Sequence, residues 1–263
     1  MKKIYLALTV IVISTFLFSC KKNGFQVIDQ KIDAVTPQIK YFNFGINSPS
    51  VNFYASTTKV AGVTSSTGAE STAGVTYGSV YPSTNYSLLT AGTYDFKAQI
   101  PSTATADANL SIATLNATLA TSKFYSLYTC GFYNTTTKTS DAFILEDKLP
   151  AIDTSAAYIR FVNAVPNASS AATFSAKNTT TAVETVLATG VAYKTGSDFV
   201  KIPQGIYDLI VRHPSSATTV VTGTLLSTSL IKGRLYTLSV RGDITVTSTT
   251  AVNRLNLSFN TNR

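Results

Sequence analysis

Tryptophan is absent from this sequence, histidine occurs once and cysteine twice. With His213 as the only imidazole, no cluster of ring nitrogens can hold zinc, which takes three or four donors from His, Cys, Asp or Glu. A serine hydrolase of the nucleophile-elbow type needs Gly-x-Ser-x-Gly, which does not occur, and a triad built otherwise would have His213 as its sole base. Two cysteines allow at most one disulfide, so a disulfide scaffold is excluded and stability must come from buried cores of ordinary size. Charged residues are only 13% of the chain, and its 21 Lys and Arg are dispersed. A nucleic-acid footprint would gather them on one face, so no nucleic-acid partner is expected, and no motif calls for a cofactor.

What is present begins with an address. Lys2 and Lys3 precede an apolar stretch from Ile4 to Ile13, and the segment closes on Leu17-Phe18-Ser19-Cys20. A basic start, an apolar middle and a small residue before the cleavage point make a secretory signal. The stretch is too short, and too interrupted by Thr9, Ser14 and Thr15, for a spanning helix of about 20 apolar residues. With Cys20 directly after Ser19, the segment resembles a bacterial lipoprotein signal, which implies that residues 1–19 are removed and the Cys20 thiol carries a diacylglycerol. Cys130 is then left without a partner. The formal charge of +8 falls to +6 once Lys2 and Lys3 are lost (8 − 2). The Lys21-Lys22 pair beside the membrane favours anionic headgroups. The expected location is the cell envelope, on the outer membrane. Its face is left open, because Lys21-Lys22-Asn23-Gly24 stands where some surface-exported lipoproteins carry acidic residues.

The rest of the chain repeats. Ile39-Lys40-Tyr41-Phe42-Asn43 recurs as Ile159-Arg160-Phe161-Val162-Asn163, and Gly74-Val75-Thr76-Tyr77 as Gly190-Val191-Ala192-Tyr193. Gly92-Thr93-Tyr94-Asp95 recurs as Gly205-Ile206-Tyr207-Asp208, and Tyr125-Ser126-Leu127 as Tyr236-Thr237-Leu238. The matches keep their order while the offset shrinks steadily, as loops of unequal length between like strands would produce. Tyr94, Phe96 and Ala98 alternate with Asp95, Lys97 and Gln99, the period of a strand with one buried face. Abundant Thr, Val, Tyr and Phe suit a pleated sheet. The expected fold is all-β, with two tandem immunoglobulin-like antiparallel β-sandwich domains. Their expected bounds are a lipidated tether over 20–37, one sandwich over 38–150 and a second over 155–263. The stretch 134–140 is expected to be a hairpin connection. Leu255, Leu257 and Phe259 make a last strand that corresponds to the one holding Phe143 and Leu145.

The run from Ile159 to Pro166, the Gly-Val-Ala-Tyr at 190–193, the Gly-Ile-Tyr-Asp at 205–208 and the linker Phe143-Ile144-Leu145-Glu146-Asp147 resemble domain-of-unknown-function family 4397. The resemblance implies tandem copies in a bacterial lipoprotein, and no established activity comes with it. The first copy departs from it at Asn47 to Ser50, where the second keeps Pro166-Asn167-Ala168.

Candidate functional residues are few. Tyr81, Tyr86 and Tyr133, near loops, are the best candidates for exposed rings on which a sugar could stack. His213 reads as a solvated loop residue, and Cys130 as a half-buried filler in a strand or between the domains. Lys40 and Arg160 fall on the polar side of the first strand of each copy, where Asp95 and Asp208 could pair with them. The function expected is a non-catalytic, membrane-anchored binding or structural module for a polysaccharide or envelope protein. The alternative is a glycan-active hydrolase using carboxylates such as Glu146, Asp147, Asp95 or Asp208.

Overall fold

Strands with one side chain in and the next one out need a partner layer for each apolar face, and the chain supplies that layer twice. The structure is a computed structural model that describes residues 36–61, 73–214 and 220–263; the signal, Cys20 and most of the tether lie outside them. Ala34–Arg263 form one compact unit. The first half runs β1 (Gln38–Asn43), β2 (Asn52–Ala55), β3 (Thr58–Lys59), β4 (Val80–Tyr81), β5 (Ser87–Leu88), β6 (Gly92–Gln99), β7 (Ser111–Leu119), β8 (Phe124–Asn134) and β9 (Thr139–Glu146). The second half runs β10 (Ala157–Asn163), β11 (Ala172–Asn178), β12 (Glu184–Val191), β13 (Thr195–Gly196), β14 (Val200–Ile202), β15 (Gly205–Pro214), β16 (Val220–Leu230), β17 (Leu235–Arg241) and β18 (Asn256–Thr261).

Each half folds as two sheets with the same strand order. In the first, β4-β1-β8-β9 (with β5 also on β1) faces β3-β2-β6-β7; in the second, β13-β10-β17-β18 (with β14 on β10) faces β12-β11-β15-β16. Among the described residues there is no helix, and therefore none long and apolar enough to cross a membrane. The all-β sandwich expectation holds, with one correction: the sheets are not wholly antiparallel. β1 lies parallel to β8, and β10 parallel to β17. Parallel neighbours need a long crossover, and each pair is separated in sequence by the whole of the opposing sheet. Turn residues 135–138 close the β8–β9 hairpin, as expected.

The core of each half is drawn from both of its sheets. Ile39, Tyr41, Phe53, Phe96, Ala98, Ile112 and Leu127 fill the first; Ile159, Phe161, Phe174, Tyr207, Leu209, Val211 and Leu238 fill the second. The repeated motifs have repeated tasks. Asn43 Nδ2 donates to the Val75 carbonyl at 2.9 Å, and Asn163 Nδ2 to the Val191 carbonyl at 2.9 Å. The Tyr125 hydroxyl accepts from the Ala120 amide and the Tyr236 hydroxyl from the Ile231 amide, each five residues upstream, much like a tyrosine corner. Tyr94 and Tyr207 each donate to the carbonyl four residues before them. Gly74 and Gly190 sit at φ +66° and +67°, a left-handed conformation that glycine adopts without steric cost, so the duplicated Gly-Val is fixed by backbone geometry.

His213 corrects another expectation. It is a strand residue of β15, fully buried, and neither ring nitrogen has a hydrogen-bond partner among the described residues. Burial lowers its pKa to about 4, so the folded protein holds the imidazole neutral. The unfolded chain takes up that proton below about pH 6.5, so the stability from the buried neutral ring is complete above that pH. It is lost as pH falls from there towards 4, by about 3 kcal/mol at roughly 1.4 kcal/mol per pH unit. Urea unfolding of the wild type should therefore lose stability between pH 6.5 and 4.5 more steeply than His213→Leu does. Parallel curves for the two proteins would refute this role.

Candidate functional site

Period 2 in β1 sends Ile39 and Tyr41 into the first core and Lys40 and Phe42 to the opposite face, which in a single sandwich would meet water. Here that face is covered. β1 is buried on both sides, as is β10. Phe42, Phe44, Tyr128, Cys130 and Phe143 from the first half pack with Val162 and Ala164 from the second in one apolar cluster. Tyr128 stacks between Phe42 and Phe143, with ring centroids 4.4 and 4.8 Å away. The two halves thus share a seam formed by the outer faces of their first sheets.

The polar end of the seam holds the most concentrated chemistry among the described residues. Arg160 Nη2 lies 2.5 Å from Asp147 Oδ1, and both side chains are almost fully buried. Arg160 Nε donates to Thr237 Oγ1 at 2.9 Å, and its guanidinium lies over the Phe199 ring at 5.1 Å. The second oxygen of Asp147 accepts from the Tyr86 hydroxyl and the Ser126 hydroxyl, each at 2.7 Å. Asn262 Nδ2 donates to the Tyr86 oxygen, and Thr237 Oγ1 donates to Asn262 Oδ1. Lys40 Nζ donates to the Thr261 carbonyl at 2.7 Å and sits over the Tyr86 ring. Burial lowers the Lys40 pKa to about 8, against the opposing pull of Asp147.

These contacts are reciprocal. The strand registers make Lys40 equivalent to Arg160, Ser126 to Thr237, Tyr86 to Phe199 and Asp147 to Asn262. Arg160 of the second half reaches the end of the last strand of the first; Lys40 of the first half reaches the end of the last strand of the second. Each cation also covers the aromatic ring at the equivalent place in its own half. The same exchange occurs at the other end of the seam. Tyr193 donates to Cys130 Sγ at 3.2 Å, while Arg241, the counterpart of Cys130, stacks on Tyr77, the counterpart of Tyr193. Residue i meeting j while j meets i marks an isologous interface, here within one chain. Gly78, at φ +81°, makes room for it, since a Cβ there would come within 2.5 Å of the Arg241 guanidinium.

Several expectations change accordingly. Tyr86 is not an exposed ring; it is buried at the centre of the polar network because β5 turns it into the seam. Tyr81 and Tyr133 are half-buried against the first core, so the three tyrosines form no common platform. Lys40 and Arg160 are not on a wet face, and neither bonds to Asp95 or Asp208. Asp95 accepts from Asn116 and Asp208 from the Ser227 amide. Cys130 is fully buried, not half-buried, and burial pushes its thiol up to about 12, far from a reactive thiolate. β18 does correspond to β9, but Phe259 matches Ile144, whereas Phe143 and Leu145 face the seam. No group of three or more His, Cys, Asp or Glu among the described residues could hold a metal ion. Cys20, the expected lipid carrier, lies outside the described residues. The residue whose role sequence reasoning missed with most consequence is Asp147, named there only among possible carboxylates. Its signal was present: two cations recurring in otherwise apolar strands need buried partners.

The family described as "Domain of unknown function (DUF4397)" matches residues 37–174, more than half of the sequence. The chain belongs to this family. The DUF4397 match runs through the whole first half and on into β11, so it contains Lys40, Tyr86, Ser126, Asp147 and Arg160. No curated protein matches the chain.

A buried ion pair is costly to break and less costly to replace whole. Asp147→Ala, which strands Arg160, should lower unfolding free energy by about 3–5 kcal/mol in chemical denaturation. Asp147→Leu combined with Arg160→Met should recover most of that loss. A double variant as unstable as the sum of the single changes would show that the two side chains do not act together.

Proposed function

We propose that this protein is a lipid-anchored, non-catalytic module of the cell envelope, built from two tandem copies of the DUF4397 domain locked together along the seam. The observation that carries this reading is the reciprocal polar network. Of the groups in it that could do acid–base chemistry, Tyr86 and Arg160 are both bonded to Asp147, and Lys40 is bonded to the Thr261 carbonyl, all in the interface between the halves. Their arrangement holds two sandwiches in a fixed relation, which suits a rigid platform held off a membrane. The amino-terminal Leu17-Phe18-Ser19-Cys20 supports the anchor: acyl chains on Cys20 bind a bilayer at about 0.8 kcal/mol per buried methylene, and two or three chains hold stably where one does not. The outer membrane is the location this address favours. A polysaccharide or an envelope protein is the partner such a platform would meet there.

Cys20→Ser, expressed in a diderm bacterium, should move the protein from the membrane to the soluble fraction and abolish incorporation of labelled fatty acid. Membrane retention with no label in the wild type would overturn the anchor.

A further inference from the structure

The seam is flanked by two equivalent grooves, and the two differ in charge. One, of about 250 Å³, is lined by Leu145, Glu146 and Lys148 at the end of the first half and by Arg160 and the stretch 196–199 of the second. The other, of about 330 Å³, is lined by the stretch 259–263 at the end of the second half, by Ser83, Thr84 and Asn85 of the first, and by Arg234. The registers that relate the halves also relate these walls, pairing Glu146 with Thr261, Lys148 with Arg263 and Tyr86 with Phe199. Counting along the chain from these pairs sets Asn85 opposite Asp198 and Arg234 opposite Lys123.

In the first groove the charges balance: Glu146 and Asp198 stand against Lys148 and the neighbouring Lys123, while Arg160 is taken up by the buried Asp147. Lys123 beside it is tied to Glu146 at 2.7 Å. In the second groove both carboxylates have become neutral hydrogen-bonding side chains, Thr261 and Asn85, while the cations have been kept as Arg234 and Arg263. Neither arginine makes an ion pair among the described residues; Arg263 donates only to the Pro150 carbonyl, at 3.0 Å. Beside the guanidiniums stand hydroxyl and amide groups from Ser83, Thr84, Asn85 and Asn260, and the half-buried ring of Phe259.

We propose that this second groove is a binding site for an acidic sugar. Its anionic group, a carboxylate or a phosphate, would be held by Arg234 and Arg263, and its hydroxyls by the Ser, Thr and Asn side chains. A guanidinium offers paired N–H donors that match either anion, and the groove volume is at the lower end of the range for small-ligand sites. The proposal deepens the binding reading above and rests on it for the kind of ligand, but its test does not depend on the lipid anchor.

The test uses the full-length protein in detergent micelles, with titration calorimetry against trigalacturonate, glucose 6-phosphate and neutral xylotriose. Saturable binding of one or both acidic sugars is expected, weakening with salt and falling at least tenfold in Arg234→Gln and in Arg263→Gln. Lys148→Gln, in the equivalent groove, should leave it unchanged. Both arginines are exposed, so unaltered unfolding temperatures should show that the variants fold. The uronate and the phosphate arms decide which anion is taken. No binding of either acidic sugar, or binding indifferent to the arginines, overturns the proposal. Xylotriose binding as tightly as trigalacturonate overturns it too, while leaving a binding module of another specificity in place.

Discussion

Everything in this structure turns on one constraint: the outer face of the first sheet in each half has to be covered, because it carries a buried cation. Arg160 and Lys40 sit in the middle of otherwise apolar strands, and neither can stay charged in a dry interface without an acceptor. Each finds it in the other half, Arg160 on the Asp147 carboxylate and Lys40 on the Thr261 carbonyl. The requirement is mutual, so one half satisfies its own inner strand only by completing the other.

The halves differ in detail around that shared frame without breaking it. Where the first half has Cys130 under the Tyr193 hydroxyl, the second has Arg241 stacked between Tyr77 and Phe44, with Gly78 vacating the space. Where the first half ends in Asp147, the second ends in Asn262, and the network closes through Tyr86. An interface built from reciprocal contacts tolerates such exchanges pair by pair, because each substitution is answered at one site and not at its equivalent. The flanking grooves differ in the same pairwise way at the surface, where a balanced set of charges in one stands against an unbalanced set in the other.

The sequence made the strands, their order and the repeated pattern legible, since Gly-x-Tyr-Asp and Tyr-x-Leu recur with equivalent hydroxyl-to-backbone bonds at Tyr94 and Tyr207 and at Tyr125 and Tyr236. Those are local features, and local patterns carry them. The sequence hid which of two alternating faces was wet. Ile39-Lys40-Tyr41-Phe42 reads as one buried and one polar face, but period 2 cannot distinguish a face turned to solvent from one turned to the other half of the chain. Asp147 was legible as an acid and not as a partner, because its contact with Arg160 depends on how two sandwiches meet. Tyr86 was misplaced for a similar reason: a ring beside a loop looks exposed until the strand that follows it is paired. The parallel β1–β8 contact was equally hidden, since nothing in either strand records the direction of a neighbour so distant along the chain.

The central claim is that the seam, and not the connecting peptide, holds the halves together. A specific protease site placed at the exposed Ala151–Ile152 junction tests it directly, by cleaving the purified protein and following its two fragments through size-exclusion chromatography at micromolar concentration. The account predicts that the fragments co-elute at the volume of the uncut protein, and that they separate when Asp147→Ala is also present. Separation of the wild-type fragments on cleavage would contradict it.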